Sequence, residues 1–294
     1  MGTIYGAKQY ERKLKDIFTV QDEITKEIIA AMQVRLTEGD QARATAMGTE
    51  SLQAYLLILR ANSYNYNQNI ENNAMARKLA KEAIALDPDY AVAYQVLANT
   101  HIYDFWTDPN KPQEQTIIQA KKSLEKAIDL DANYAEAYSN LAWAYSLIGE
   151  NEKAIKLANK AVSLNPNSAY AHFRLGKVLT FAEKQEEAIL EYRYAIRLNP
   201  IPPGIYLWSL GLSYAATHQY NEAIYWCEKA IQQEPDNLMA RIMMSAIYSR
   251  AGYDDKAKVE AQEVLRINPK FSLERFAKRA SPLLSDALRK SGLK

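Results

Sequence analysis

The side chains that support catalysis or metal binding are few and far apart. The three histidines are His101, His172 and His218, and the single cysteine is Cys227. No two of them have the short spacing of a zinc site, and one cysteine cannot form an internal disulfide. The chain contains no phosphate-binding glycine-rich loop and no G-x-S-x-G or H-E-x-x-H motif. We therefore expect a protein that is not an enzyme and that holds no cofactor and no metal ion.

Charge and hydropathy limit the class of partner. The 36 basic and 35 acidic residues leave a net charge of +1, which provides no general attraction to nucleic acid or acidic membranes. No run approaches the ~18 consecutive apolar residues of a transmembrane helix. The first residues, MGTIYGAKQYERK, lack the apolar core of a signal peptide. We expect a cytoplasmic protein with no nucleic-acid partner and no membrane insertion.

The elements that must position the side chains repeat along the chain. Small residues recur at one point of each unit, with spacings of 44, 34, 34, 35 and 34 residues: Ala76, Ala120, Ala154, Ala188, Ala223 and Ala257. A second series follows seven residues later: Ala83, Ala127, Ala161, Ala195, Ala230 and Val264. Prolines end most units, because proline cannot donate a backbone hydrogen bond within a helix. Each unit is therefore a close pair of helices, and the units must stack to bury their apolar faces.

This pattern resembles the tetratricopeptide repeat, a family of helical hairpins. The resemblance implies an all-α fold, a right-handed α-solenoid of about six hairpins with N- and C-terminal capping helices. The array is predicted over residues 49–271, with repeats at 49–90, 91–134, 135–168, 169–203, 204–237 and 238–271. An enlarged turn is expected at Asn62–Asn73, and an insertion at Phe105–Glu114. Trp106 in that insertion is either a contact residue or a packing residue of its own loop.

The segments that flank the array are expected to be helical. Residues 1–48 comprise an N-terminal helical segment and a linker, with an amphipathic helix over residues 20–37. That helix either caps the solenoid or forms an interface with other domains or a second copy of the chain. Residues 272–294 are predicted to form C-terminal capping helices, of which the second starts at Ser281–Pro282.

Parts of the chain carry a more particular resemblance. YERKLKDIFTVQDEI, over residues 10–24, is similar to the junction between a TolB- or FlgO-like domain and a tetratricopeptide array in bacterial signalling proteins. NPIPPGIYLWSLG (199–211) and LRINPKFSLERFAK (265–278) resemble the C-terminal array of class III adenylate/guanylate cyclase-like proteins. The resemblance implies the C-terminal interaction module of a signalling protein. The catalytic residues of the cyclase domain have no counterpart in this sequence.

In this architecture the first helix of each repeat lines a concave groove, and its inward residues are predicted to bind a peptide. Asn99, Asn140 and Arg174 match three of the five positions of the carboxylate clamp in chaperone-binding tetratricopeptide domains. Such residues hold the C-terminal carboxylate of a peptide by charge-assisted hydrogen bonds. Gln95 and Tyr170 replace the two lysines of that clamp.

An apolar stripe is expected along the C-terminal half of the same groove. Its members are Trp143, Tyr170, Phe173, Ile205, Trp208, Met239 and Ile242. A contiguous exposed apolar surface usually marks an interface, and aromatic residues and methionine suit contact with a helix or an extended segment. Two alternatives are open: tighter superhelical packing buries part of the stripe, or the terminal helix of the chain fills the groove.

The sequence supports two functions of different kinds. The first is a protein–protein interaction scaffold that binds a protein or peptide partner in its concave groove. Its predicted contacts are four apolar anchors and three polar partners: Trp143, Phe173, Trp208 and Ile242, with Asn140, Arg174 and Lys177. The second is a structural or dimerisation module that forms a homodimer through the N-terminal helix over residues 20–37 and binds no peptide.

Overall fold

The protein is built from helices, and its computed structural model describes residues 48–66, 69–107, 112–277 and 282–294. Within these ranges the chain forms fourteen α-helices and no β-strand. The helices are α1 (Leu52–Tyr66), α2 (Ile70–Leu86), α3 (Ala91–Thr107), α4 (Gln113–Leu130), α5 (Ala135–Leu147), α6 (Asn151–Leu164), α7 (Ala169–Phe181), α8 (Gln185–Leu198), α9 (Gly204–Ala216), α10 (Tyr220–Gln233), α11 (Leu238–Arg250), α12 (Asp254–Ile267), α13 (Leu273–Ala277) and α14 (Pro282–Lys290). The first twelve form six helical hairpins.

The two helices of a hairpin approach closely where one of them has almost no side chain. A β-carbon added at Gly176 of α7 would lie 2.7 Å from Cε1 of Tyr192 on α8. A β-carbon added at Gly211 of α9 would lie 2.7 Å from Sγ of Cys227 on α10. Both distances are shorter than van der Waals contact. These two hairpins therefore require glycine in the first helix, because the second helix carries a larger side chain at the crossing.

The hairpins stack in chain order into a solenoid. Each second helix packs on the first helix of the next hairpin, and neighbouring first helices also pack side by side. The buried apolar side chains form two clusters, one that joins α1, α2 and the start of α3 and one that runs from Ala98 to Leu293. The all-α solenoid predicted from the repeats is confirmed.

The extra residues of the first two hairpins lengthen their helices. Helices α1 and α3 have 15 and 17 residues, whereas α5, α7, α9 and α11 have 13 each. The prediction of an enlarged turn at Asn62–Asn73 is wrong, because this segment is helical up to Tyr66 and again from Ile70. Helix continuation satisfies backbone groups that a loop leaves to solvent. Residues 108–111 of the predicted insertion lie outside the described residues.

The ends of the array differ in what the structure describes. The N-terminal helix predicted over residues 20–37 lies outside the described residues. At the other end, the N–H of Leu273 donates to the carbonyl oxygen of Lys294 at 2.7 Å, and the hydroxyls of Ser245 and Ser291 are 2.9 Å apart. Helix α14 therefore packs on α11, at the end of the stack. None of the helices in the described ranges is long and apolar enough to cross a membrane.

The turn inside the hairpin has the same backbone geometry in the last four hairpins. Gly149, Glu183, His218 and Gly252 occupy equivalent positions, with φ angles of 79°, 60°, 62° and 83°. This left-handed conformation is free of steric cost for glycine but costs other L-residues energy. Two of the four turns therefore hold a strained residue.

Replacing Gly149 with alanine measures this strain directly. No atom outside the neighbouring residues lies within 4 Å of a β-carbon added at Gly149, so the change affects the backbone alone. We expect Gly149→Ala to lower the free energy of unfolding by about 1 kcal/mol in urea denaturation. The reverse change, Glu183→Gly, is expected to raise it by a smaller amount, because glycine also gains freedom in the unfolded chain. A neutral Gly149→Ala together with a destabilised Glu183→Gly would contradict this account.

Candidate functional site

The most distinctive surface lies on the first helices, where α5, α7 and α9 meet. Nζ of Lys177 lies 4.6 Å from the ring centre of Trp143, 5.8 Å from that of Trp208 and 6.0 Å from that of Phe181. The guanidinium carbon of Arg174, one turn earlier on α7, lies 5.8 Å from the ring centre of Trp143. A cation above an aromatic face is attracted by its electron density. These five residues are named the cation–aromatic cluster.

A chain of hydrogen bonds connects this cluster to α5. Nε of Arg174 donates to the hydroxyl of Tyr170 at 2.8 Å, and that hydroxyl donates to Oδ1 of Asn140 at 2.5 Å. Asn140 is fully buried, and its Nδ2 has no hydrogen-bond partner among the described residues. Tyr170 therefore joins two of the residues predicted for the carboxylate clamp. The third, Asn99, is half-buried on α3 and takes no part in this chain of hydrogen bonds.

Neither cation of the cluster is paired with a carboxylate in the part of the chain that the structure describes. Buried ion pairs lie elsewhere, as between Arg77 and Asp104, which are 2.7 Å apart. Burial, and to a smaller extent the positive charge of Arg174, lower the pKa of Lys177 from 10.5 to about 7. An anion that bound here would favour the protonated amine of Lys177, since an opposite charge raises the pKa of an amine. The site is thus suited to a carboxylate.

Most of the apolar stripe predicted for the groove is buried. Trp143, Phe173, Trp208 and Ile242 are only 3%, 4%, 9% and 1% exposed. Neighbouring first helices cover these side chains, as where Phe173 stacks on Tyr206 of α9 with ring centres 4.1 Å apart. The prediction of an accessible stripe is therefore wrong for these four residues, which belong to the core. Of the two alternatives, superhelical packing accounts for their burial.

The accessible part of the predicted stripe is smaller. Ile205 is 37% exposed, and Tyr170 and Met239 are half-buried. Phe181, the last residue of α7, is 41% exposed and contacts Trp143 edge-on at 5.0 Å between ring centres. Sequence reasoning missed Phe181, because it lies one turn beyond the positions assigned to the groove. The signal in the sequence that could have identified Phe181 is an aromatic residue at the end of a first helix.

Trp106 belongs to the same aromatic surface. It lies near the end of the long helix α3 and stacks on Trp143 of the next hairpin, with ring centres 6.4 Å apart and planes at 15°. Its neighbour Phe105 contacts it edge-on at 5.3 Å. Of the two interpretations given above, neither is complete, because Trp106 packs on another hairpin and remains half-buried.

His172, His218 and Cys227 occupy structural positions. Nδ1 of His172 lies 2.6 Å from Oε2 of Glu191, and its Nε2 lies 3.0 Å from the carbonyl oxygen of Pro166. Burial raises the pKa of the Cys227 thiol, which disfavours a nucleophilic thiolate. His218 is a residue of a left-handed turn. Within the described ranges, no group of three or more His, Cys, Asp or Glu residues is placed to hold a metal ion.

Two hairpins match a known family. Residues 135–168 and residues 204–237 each match the family model described as Tetratricopeptide repeat. These segments contain the hairpins α5–α6 and α9–α10. The chain carries tetratricopeptide repeats. The cation–aromatic cluster spans the third, fourth and fifth hairpins of this array.

Similar proteins support the array and suggest its context. A stretch of 114 residues is 32% identical to a predicted adenylate cyclase of Rhizobium meliloti and covers 39% of this chain, but only 19% of that relative's length. The crystal structure of the APC/C hetero-tetramer Cut9-Hcn1 is similar over 82% of this chain and 43% of that chain, with a TM-score of 0.64 and 16% identity. A thermophilic tetratricopeptide protein of Thermus thermophilus is similar over 66% and 98%, with a TM-score of 0.56 and 18% identity. The two structures establish the fold alone.

The protonation of Lys177 predicts how its replacement changes stability. Between the folded pKa of about 7 and the higher pKa of an unfolded lysine, the unfolded chain binds a proton that the folded chain does not. The buried amine therefore lowers the free energy of unfolding by its full amount below pH 7, and by less as the pH rises. We expect Lys177→Met to raise the melting temperature more at pH 6 than at pH 9.

Lys156→Met is the matched control, because Lys156 is exposed on α6. This variant is expected to show the same small change at both pH values. A loss of stability in Lys177→Met at pH 6 would contradict the prediction and would mean that the rings hold the ammonium favourably.

Proposed function

We propose that the tetratricopeptide array binds an acidic segment of a protein partner on its concave face, with Arg174 and Lys177 as the residues that receive its carboxylates. The observation that carries this proposal is a pair of neighbouring cations with no carboxylate partner among the described residues, held above the ring of Trp143. A partly buried site strengthens the interaction with an incoming anion, because water screens it less. Each charge-assisted hydrogen bond contributes about 1.5–3 kcal/mol.

The geometry of Arg174 supports recognition of a carboxylate. The hydroxyl of Tyr170 accepts from Nε, and the two terminal nitrogens of the guanidinium make no hydrogen bond to another described residue. Arginine binds carboxylates through two parallel hydrogen bonds when it is fixed in this way. Asn140 is fully buried, and its Oδ1 accepts from the hydroxyl of Tyr170, which holds that hydroxyl beside Arg174. The carboxylate that binds comes either from acidic side chains or from the C-terminus of the partner, and the experiment below separates them.

The surface beside the cations favours an amphipathic segment. Ile205 and Phe181 are exposed to 37% and 41%, and Met239 is half-buried. An acidic segment with apolar residues at helical spacing would place its carboxylates on the cations and its apolar side chains on these residues. The four buried residues of the predicted stripe would support the groove from within the core.

We also infer that binding on this face regulates a bacterial signalling protein of the nucleotidyl cyclase type. The identity of 32% to the Rhizobium meliloti relative over 114 residues supports this assignment. An interaction scaffold next to a catalytic domain offers a means of control, because a partner that binds one conformation better shifts the equilibrium toward it. The dimerisation alternative depends on residues 20–37, which lie outside the described residues.

Fluorescence anisotropy of labelled peptides tests the proposed contact. The probes are a peptide of alternating glutamate and leucine pairs, the same peptide with an amidated C-terminus, and a matched peptide with lysine for glutamate. We expect the glutamate peptide to bind, and Arg174→Ala/Lys177→Ala to weaken binding by about tenfold or more. Amidation weakens binding only if the terminal carboxylate is the group recognised. The double variant Lys156→Ala/Lys160→Ala is the matched control, since both lysines are exposed on α6.

The affinity of the wild type is expected to fall as the pH rises from 6 to 9. The amine of Lys177 loses its proton near pH 7 in the free protein, so at higher pH it must take up a proton from solvent before it can pair with the anion. This pH dependence should be absent in Lys177→Ala. The proposed contact would be refuted if Arg174→Ala/Lys177→Ala and Lys156→Ala/Lys160→Ala lost equal affinity for the glutamate peptide. Tighter binding of the lysine peptide would also refute it.

A further inference from the structure

The first helix of the array carries an apolar stripe on the side that faces away from the stack. Leu52, Leu56 and Leu59 follow one another along α1 at spacings of four and three residues, and these three residues are named the leucine stripe. The core side of α1 is the opposite one, where Ile58 and Ala61 are 2% and 0% exposed. Leu59 is 46% exposed, and Leu52 and Leu56 are half-buried without belonging to either core cluster of the described residues. A helix that is apolar on both sides is normally covered on both sides.

The other end of the stack shows how such a side is covered. The residues that follow the last hairpin pack on α11, and Leu288 and Leu293 among them are 0% and 1% exposed. The hydroxyls of Ser245 and Ser291 mark the close approach of α11 and α14 at 2.9 Å. The chain thus closes its last hairpin with its own residues. Helix α1 has no counterpart of α14 among the described residues, since it is the first described helix.

We propose that residues 20–37 of the same chain form a helix that packs on the leucine stripe and closes the first hairpin. The apolar residues of this segment recur every four positions, which places them on one face of a helix: Ile24, Ile28, Met32 and Leu36. Two stripes of this kind pack together as ridges into grooves. The inference is independent of the proposed function, which concerns the concave face of α5, α7 and α9.

The point at which the chain enters the array allows this contact. Thr49 is 4% exposed, and its hydroxyl donates a hydrogen bond to the carboxylate of Asp87 at the end of α2, so the chain is fixed just before α1. The ten residues 38–47 lie between the segment and the described part of the chain. Ten extended residues span about 33 Å. Helix α1 has 15 residues and is therefore about 22 Å long, so the segment can reach the whole leucine stripe.

The same tether decides between the chain's own segment and a second copy of the chain. A short tether holds a segment near its target at an effective concentration of about millimolar. A second copy present at micromolar concentration competes poorly with it. The segment is then engaged within its own chain, which makes it unavailable for a homodimer.

Trypsin cleavage of the full chain at Arg35, within the segment, tests the contact. We expect Leu59→Asp to raise the cleavage rate at least about tenfold, because a carboxylate beneath a packed helix must lose its hydration. Leu190→Asp is the matched control, since Leu190 is 56% exposed on α8, and this variant should leave the rate unchanged. Equal rates in the wild type and Leu59→Asp would overturn the proposal.

A change in the segment keeps the test independent of any damage to α1. Ile28→Asp should raise cleavage at Arg35 as much as Leu59→Asp does, and the variant with both changes should show no further rise, because the segment is already released. Additive effects of the two changes would mean that the residues do not share a contact, and the proposal would fail. Circular dichroism melting of each variant establishes that the array is folded.

Cysteine pairs show which molecule supplies the segment. Leu59→Cys is combined in turn with a cysteine at each of three positions: Ile24→Cys, Ile28→Cys and Met32→Cys. Cys227 is fully buried and stays in place. After oxidation at micromolar protein concentration, we expect a disulfide within one chain for at least one pair, identified by peptide mass spectrometry, and none when Leu190→Cys replaces Leu59→Cys. A covalent dimer as the main product would overturn the proposal in favour of a second copy, and no disulfide in any pair would overturn the packing itself.

Discussion

The close approach of two helices within a hairpin is the constraint on which the structure depends. At the crossing of α7 and α8, Gly176 leaves room for the ring of Tyr192, and at the crossing of α9 and α10, Gly211 leaves room for Cys227. The two helices share the space at their crossing, so a larger side chain on one helix requires a smaller side chain on the other. This spacing sets the position of each hairpin and hence of the next one in the stack.

The candidate site is a consequence of the stacking. Side-by-side packing of the first helices buries the aromatic rings of Trp143 and Trp208 beneath the long side chains of α7. Arg174 and Lys177 lie over that apolar surface, with the guanidinium carbon and Nζ at 5.8 Å and 4.6 Å from the ring centre of Trp143. Three hairpins contribute to the site, and no single hairpin contains it.

The sequence could predict the parts of the structure that depend on local spacing. Alanines about 34 residues apart indicated the hairpins, and Ser281–Pro282 indicated the start of the last helix. The assignment of Trp208 and Ile242 to an open groove was wrong for a physical reason. A residue's place in the helical repeat gives the direction of its side chain, but whether a neighbouring helix covers it depends on the distance between hairpins.

The same limit applies to the polar part of the site. Asn140 and Arg174 were predicted from a resemblance, but the role of Tyr170 as the link between them depends on the separation of α5 and α7. The sequence also could not predict that Lys177 has no carboxylate partner among the described residues, since this depends on where the nearby carboxylates lie in three dimensions. The sequence shows which residue types are present, but not which of them form hydrogen bonds or ion pairs with one another.

The length of α3 has a consequence for how such a protein can change. Helix α3 extends to Thr107 and carries Trp106 onto the neighbouring hairpin, where it stacks on Trp143. Residues added at the turn end of this hairpin therefore extend the aromatic contact between α3 and α5. The same end of α3 also joins α2, because Asp104 pairs with Arg77, so a change in the length of this one helix acts on three hairpins at once.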